Sequence, residues 1–337
     1  MWLKFKSDSP EEIERKRRDE IAVDALLRGD ILPRAKQRIM HQTASGSRLF
    51  STDMTTKEFL VMEECGIEPL GQVMGTSFFR IQNYNRINTF TTERSMIVDA
   101  HVAARNMAVE RMKKEAALFG AHGIVSVLVK YSRPAFGSNL VEFTAIGTAV
   151  KVQGWDPEDL EDLPFTSELN GQEFWQLIHA GYRPVSIVFG ISCRYIRSDY
   201  HTATMVVRRG IFNTAMNQEI VDWTRNIYMA RELAVQRLQD DIVRHNADGC
   251  VGMTVNVEHE HIHSENEQNE SRVAWVDLQV TFTALGSSIR KMKRPHKVIE
   301  RKPLTVLNLS NKRLISIGSR TDELRGSVVS EEFDDVE

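Results

Sequence analysis

The segment Val257-Glu258-His259-Glu260-His261-Ile262-His263 carries the most suggestive chemistry of the chain. It fits the HExxH pattern through His259, Glu260 and His263. On a helix that pattern sets two imidazoles one turn apart around zinc, with the glutamate as base. Here, however, the run continues an alternating, strand-like stretch and leads into Ser264-Glu265-Asn266-Glu267-Gln268-Asn269-Glu270, which has loop composition. Read as a strand, His259, His261 and His263 share one face at about 6 to 7 Å per two-residue step. Two of them could chelate zinc, copper or nickel, while a third needs the backbone to bend. The plainer alternative is a solvated hairpin tip of mixed charge.

A second constellation follows two glycines. Phe78-Phe79-Arg80, Tyr84 and Arg86 come after Gly75, and Cys193-Arg194-Tyr195, Tyr200 and His201 come after Gly190. Read as irregular segments, these interleaved rings and guanidinium groups could clamp an anionic ligand or pack between neighbouring subunits. His101 falls on an apolar helix face and reads as a half-buried packing residue. Cys65, Cys193 and Cys250 are far apart and form no CxxC pair, so reduced, buried thiols are expected. GxGxxG, Walker A, GxSxG and zinc-deaminase signatures are all missing from the sequence. A non-enzymatic role is therefore the leading expectation, with an HExxH metallohydrolase last.

The elements that must position these groups come in two copies. Phe50, Gly66, Pro69, Gly75, Ser77 and Ile81 recur as Phe165, Gly181, Pro184, Gly190, Ser192 and Ile196, at a constant offset of 115. Beyond an 11-residue insertion in the second copy the offset is 126, and Ala108-Val109, Arg111, Ala121, Gly123 and Val125 meet Ala234-Val235, Arg237, Ala247, Gly249 and Val251. After a further 13-residue insertion, Phe143-Thr144-Ala145-Ile146-Gly147 meets Phe282-Thr283-Ala284-Leu285-Gly286.

Each copy reads as an extended segment, a long helix and two more strands. His101, Ala104, Ala108, Met112 and Ala116 in one copy, and Ile227, Ala230, Ala234, Leu238 and Ile242 in the other, recur at helical steps and define the buried face. Gly120 and its counterpart Asn246 are the residue types that close a helix in the left-handed conformation. Val125, Val127 and Val129, like Val251, Met253, Val255 and Val257, alternate as half-buried strands do. The expected division is a helical extension over 1–47, a first repeat over 48–153, a linker over 154–162, a second repeat over 163–290 and a charged tail over 291–337. Units this small leave edge strands exposed, so association between units or chains is expected.

The run Phe165-Thr166, the stretch from Gly171 to Gly181 read as a strand, Gly190, the helix end Asn246-Ala247-Asp248-Gly249-Cys250-Val251-Gly252 and the closing Phe282–Gly286 together resemble the YbjQ-like family, which carries a heavy-metal-binding label. Copy one resembles it through Ala121-His122-Gly123-Ile124-Val125 and Ala145–Val150. The resemblance implies an α+β fold of two tandem two-layer β-β-α-β units, dodecin-like, and ring-shaped homo-oligomers that are commonly five-fold. Whole two-unit chains cannot fill a single ring of five, so stacked rings of five or an even-membered ring would follow. It implies a ring-forming scaffold or binding protein, with metal binding or sensing by the histidine run as the alternative. No ligand residue carries over from the family.

Charge adds little: the net charge is -3, and basic residues are largely offset by acidic ones except in local runs, so nucleic acid binding is not expected. No stretch approaches a membrane span, and the N-terminus lacks the apolar core of a signal peptide, so a cytoplasmic protein is expected. Ser9-Pro10-Glu11-Glu12 is a strong helix start over residues 9–20, with Gly29 and Pro33 expected to end the element that follows. Past Ile289 a basic stretch gives way to the acidic Glu331-Glu332-Phe333-Asp334-Asp335, a tail suited to protein partners, and Val306-Leu307-Asn308-Leu309 reads as a small strand.

Overall fold

The computed structural model describes residues 9–44, 50–82, 90–132, 139–155, 164–199, 201–202, 218–264, 275–293, 305–308 and 313–316. Helix α1 (Pro10–Leu27) opens on a complete capping box, with the Ser9 hydroxyl accepting from Glu12 N–H and the Glu12 carboxylate accepting from Ser9 N–H. It runs past the expected end because no breaker precedes Gly29, which sits at φ +69°. Pro33 does not end this element; it begins α2 (Pro33–Ala44), since its missing N–H costs nothing at the first helical position.

The stretch between Gly171 and Gly181 is a second departure from expectation. Residues Gly171–His179 form a helix, α5, preceded in copy one by α3 (Thr56–Glu64) at the same offset. Both have capping boxes, Thr55 with Glu58 and Asn170 with Glu173. Helices this short draw their stability from caps and docking more than from propensity. Phe174, Leu177 and Ile178 of α5 and Met62 of α3 bury into one cluster with Trp155 and Phe165.

In copy one, β1 (Ile67–Arg80), the short β2 (Thr92–Glu93), α4 (Ser95–Leu118), β3 (Gly123–Ser132) and β4 (Leu140–Val152) follow. In copy two, β5 (Phe165–Thr166) comes first, and β6 (Tyr182–Ile196), α6 (Val221–Arg244), β7 (Gly249–Ser264) and β8 (Trp275–Lys291) then repeat β1, α4, β3 and β4. The fold is α+β with a helical N-terminal extension, as expected. Beyond it, β9 (Thr305–Asn308) pairs with β10 (Arg313–Ser316) as a hairpin, which places the small strand expected there.

The two sheets exchange strands. Sheet one runs β1-β4-β3-β5 and sheet two β2-β6-β8-β7. Thus β5, from copy two, pairs with β3 of copy one, while β2, from copy one, pairs with β6 of copy two. Helix α4 lies between the sheets. Ala104 and Ala108 pack with Ile81, Val141 and Phe143 of copy one, and the same cluster takes in Phe189, Ile191 and Cys193 of β6. Helix α6 covers the far face of sheet two with Ala230, Ala234 and Leu238. The layers therefore run sheet, helix, sheet, helix.

Glycine sets how closely each helix approaches its strand. A Cβ on Gly75 would lie 1.9 Å from the Ala108 carbonyl oxygen, and one on Gly190 2.0 Å from that of Ala234. Each third strand carries a bulge, with Ser126 at φ +51° in one and Gly252 at φ +65° in the other, so the clean alternation expected through Val125 and Val127 breaks there. No helix among the described residues is long and apolar enough to cross a membrane.

Candidate functional site

Strand β7 extends through the whole histidine run and pairs with β8, with His259 opposite Val280, His261 opposite Leu278 and His263 opposite Val276. It is the edge of sheet two. Pairing fixes the side of each group. Val257 and His261 look toward α6, and the His261 ring lies 6.1 Å from that of Trp223. His259, exposed, shares that face by alternation. Glu260 points the other way and accepts from the Gln279 side-chain amide at 3.1 Å. The HExxH glutamate is thus on the opposite face from His259, and the strand does not assemble a helical zinc-protease site. The run is paired strand to the far end of the β7–β8 pair, with His259 and His261 exposed; the His263 side chain lies outside the described residues. Among the described residues no three His, Cys, Asp or Glu side chains gather as a metal site.

The first part of the second constellation is also strand. Arg80 ends β1 and is exposed, whereas Arg194 and Tyr195 occupy opposite faces of β6. Arg194 donates to the Asn226 side-chain oxygen on α6 at 3.2 Å. Tyr195 is fully buried on the α4 side, where its hydroxyl donates to Asp277 and its ring lies under the Arg94 guanidinium. His201 is exposed, near Thr202. Tyr84 and Arg86 lie outside the described residues. Tyr200 also lies outside them; at Phe78–Arg80 and Cys193–Tyr195, continuous strands replace the irregular segments expected.

What the chain does bring together is a polar seam where α4 meets sheet two. Arg94, just before α4, donates to the Gln279 side-chain oxygen, and its N–H donates to the Cys193 carbonyl at 2.8 Å. His101 is fully buried, not half-buried: Nδ1 lies 2.7 Å from the Ile97 carbonyl and Nε2 3.1 Å from the Tyr131 hydroxyl. Tyr131 in turn donates to Glu258 on β7 at 3.3 Å. The bonds of Arg94 to Gln279 and Cys193 and of Tyr131 to Glu258 cross between the copies and give their docking a fixed register, because each buried polar atom is costly unless its partner is met.

Charges are buried at the same seam. Arg105 of α4 donates to the Ile187 carbonyl on β6 and stacks over Phe189. Burial lowers its pKa, opposed by the carboxylates of Asp241 and Glu168. Glu168 is pushed up to about 7 by burial, with Arg105 pulling the other way, and its Oε2 has no hydrogen-bond partner among the described residues. Burial also raises Cys65 to about 12 and Cys250 to about 11, so both are poor nucleophiles.

Equivalent positions of the two copies do the same work at the strand edges. Glu115 accepts from Met74 N–H and Asp241 from Phe189 N–H, both at 3.0 Å. Arg111 donates to the Thr76 carbonyl at 2.6 Å and Arg237 to that of Ile191 at 2.7 Å. Copy two adds one component. Glu93 of β2 meets Arg237 at 2.6 and 2.9 Å, a two-pronged ion pair between copies. The paired acids were overlooked in the sequence, although the offset of 126 sets Glu115 on Asp241 and Glu93 on Glu219.

Comparison with known proteins adds two findings. Residues 68–153 match the YbjQ family, whose description reads "Putative heavy-metal-binding", and they lie within copy one. The chain is also 29% identical over 262 residues, 77% of its length and 91% of the other, to the encapsulin nanocompartment protein Rv1762c of Mycobacterium tuberculosis. That second similarity is longer than either copy.

Proposed function

We propose that this chain is a non-enzymatic, self-assembling scaffold or binding protein, cytoplasmic, and that it works within a nanocompartment or a comparable protein assembly. The observation that carries the reading is the layer order. A stack of sheet, helix, sheet, helix ends in a sheet face on one side and a helix face on the other, so copies can add in one direction. Met74, Phe78 and Leu128, on β1 and β3, are 47%, 56% and 51% exposed. On α6, Tyr228 and Met229 are 59% and 45% exposed. Apolar area left open at both ends is what an associating subunit carries. The similarity to a protein named for a nanocompartment supports the setting. Light scattering on the full chain after size exclusion tests it: a multiple of the 38.5 kDa chain mass is expected, and a monomer at micromolar concentration would overturn it.

A second reading is favoured by one feature, the exposed His259 and His261 on the outer strand of sheet two. In this reading the edge binds zinc, copper or nickel. Metal analysis of untagged protein, beside a variant with His259, His261 and His263 all changed to Ala, decides: occupancy lost in the variant is expected, and equal, near-zero occupancy in both removes the idea.

A further inference from the structure

We infer that a second copy of this chain docks on copy one in the way copy one's α4 and β2 dock on copy two, placing Glu219 of the incoming chain against Arg111, and that the α1–α2 hairpin competes for this site. The inference rests on the self-assembly reading above and names its interface.

Among the described residues, Arg111 is a cation without a carboxylate. Arg237 has the Glu93 carboxylate, whereas among the described residues its counterpart Arg111 meets two backbone carbonyls, those of Thr76 and Leu26, and no carboxylate, and its Nε is buried without a partner. A partly buried guanidinium lacking a carboxylate is the costly half of an ion pair. The segment that would supply one exists. Helices α4 and α6 both have 24 residues and start alike, so Glu219 stands before α6 where Glu93 stands before α4. Glu93 is held on β6, but Glu219 is exposed.

Three more positions fit the same operation. Arg105 on α4 reaches toward Asp241 and Glu168; its counterpart Arg231 is 54% exposed in its side chain, and the counterparts of those two acids are Glu115 and Asp53 of copy one. Phe165 covers Gly123, where a Cβ would lie 2.2 Å from the ring. The counterpart glycine, Gly249, has nothing within 4 Å among the described residues, and the counterpart ring, Phe50, is 38% exposed. Phe50 is also held ready, stacked on Phe59 at 5.6 Å much as Phe165 stacks on Phe174 at 6.2 Å. One head-to-tail contact would therefore satisfy Arg111, Glu115, Gly249 and the open face of β1 together. Complementary charges and a repeated, already formed interface identify the occupant as this chain itself.

In the single chain, α1 and α2 take part of that place. The Leu26 carbonyl stands on Arg111 where a carboxylate would, Lys114 donates to the Gly29 carbonyl, and Arg38 approaches Glu115 at 3.8 Å. An incoming Glu219 and Arg231 would replace the first and the last of these.

Sedimentation equilibrium on the full chain provides the test. Glu219→Arg, at an exposed position, and Arg111→Glu are each expected to weaken self-association about tenfold or more, and the double variant to regain most of the loss, the pattern of a direct charge pair. Arg38→Ala with Lys114→Ala, both surface changes, is expected to strengthen association at least about threefold. A wild-type chain that assembles while Glu219→Arg assembles equally well overturns this interface and leaves the scaffold reading standing. A wild-type monomer overturns the scaffold reading itself. Unchanged assembly in the Arg38 and Lys114 variant overturns the competition.

Discussion

Glu168 is the residue whose surroundings most alter its chemistry. Its pKa rises from 4.5 to about 7 because burial disfavours the carboxylate, even with Arg105 nearby. A carboxyl group with a raised folded-state pKa binds more protons folded than unfolded between those values. Its contribution therefore favours the fold below about pH 4.5 and is lost as pH climbs through 7, by up to roughly 3 kcal/mol. Urea denaturation at pH 5 and pH 8 should show Glu168→Gln less sensitive to this change than the wild type; equal pH dependence in both would contradict the assignment. The acid was hard to recognise in advance, because nothing in Ser167-Glu168-Leu169 announces burial. It lies at the seam only because β5 crosses to the other copy's sheet. His101 was recognisable in type and face, yet its depth comes from Tyr131 and Phe143, on β3 and β4, packing against its ring.

At the scale of elements, the glycine contacts decide how each helix sits. Gly190→Ala would drive a methyl into the Ala234 carbonyl, and relief requires moving α6 off β6. A loss of about 3 kcal/mol or more is expected in denaturant titration, against about 1 kcal/mol for Asn170→Ala, which removes only a cap. Equal small losses would mean the helix yields easily. The long helices were legible from their three- and four-residue spacing, and the left-handed closures at Gly120 and Asn246 are where that spacing ends. Helices α3 and α5 were not, since nine residues hold too few turns for a period to show, and their capping boxes were the better signal. The histidine run was legible as strand by alternation. That alternation also separates Glu260 from His259, which periodicity alone implies once a strand is accepted.

For the whole molecule, the exchange of β2 and β5 predicts how the chain unfolds. Two similar units joined by a linker would each melt alone. Here one edge of each sheet belongs to the other copy, α4 is sandwiched between both, and Glu93 ties β2 to Arg237 with a paired-oxygen contact that is three-quarters shielded on the glutamate side. Neither copy keeps its exchanged edge, its seam or its buried charges if the other opens. Calorimetry should therefore give one transition, with calorimetric and van't Hoff enthalpies alike. Glu93→Gln removes the charge from the exchanged strand and should cost about 1 to 3 kcal/mol, and because the loss falls on the coupling, the transition should broaden or split. Surface substitution at Glu232, whose side chain is 72% exposed on α6, provides the control and should leave one sharp transition. Two resolved transitions in the wild type would mean that the strand exchange registers the copies without making them fold as one.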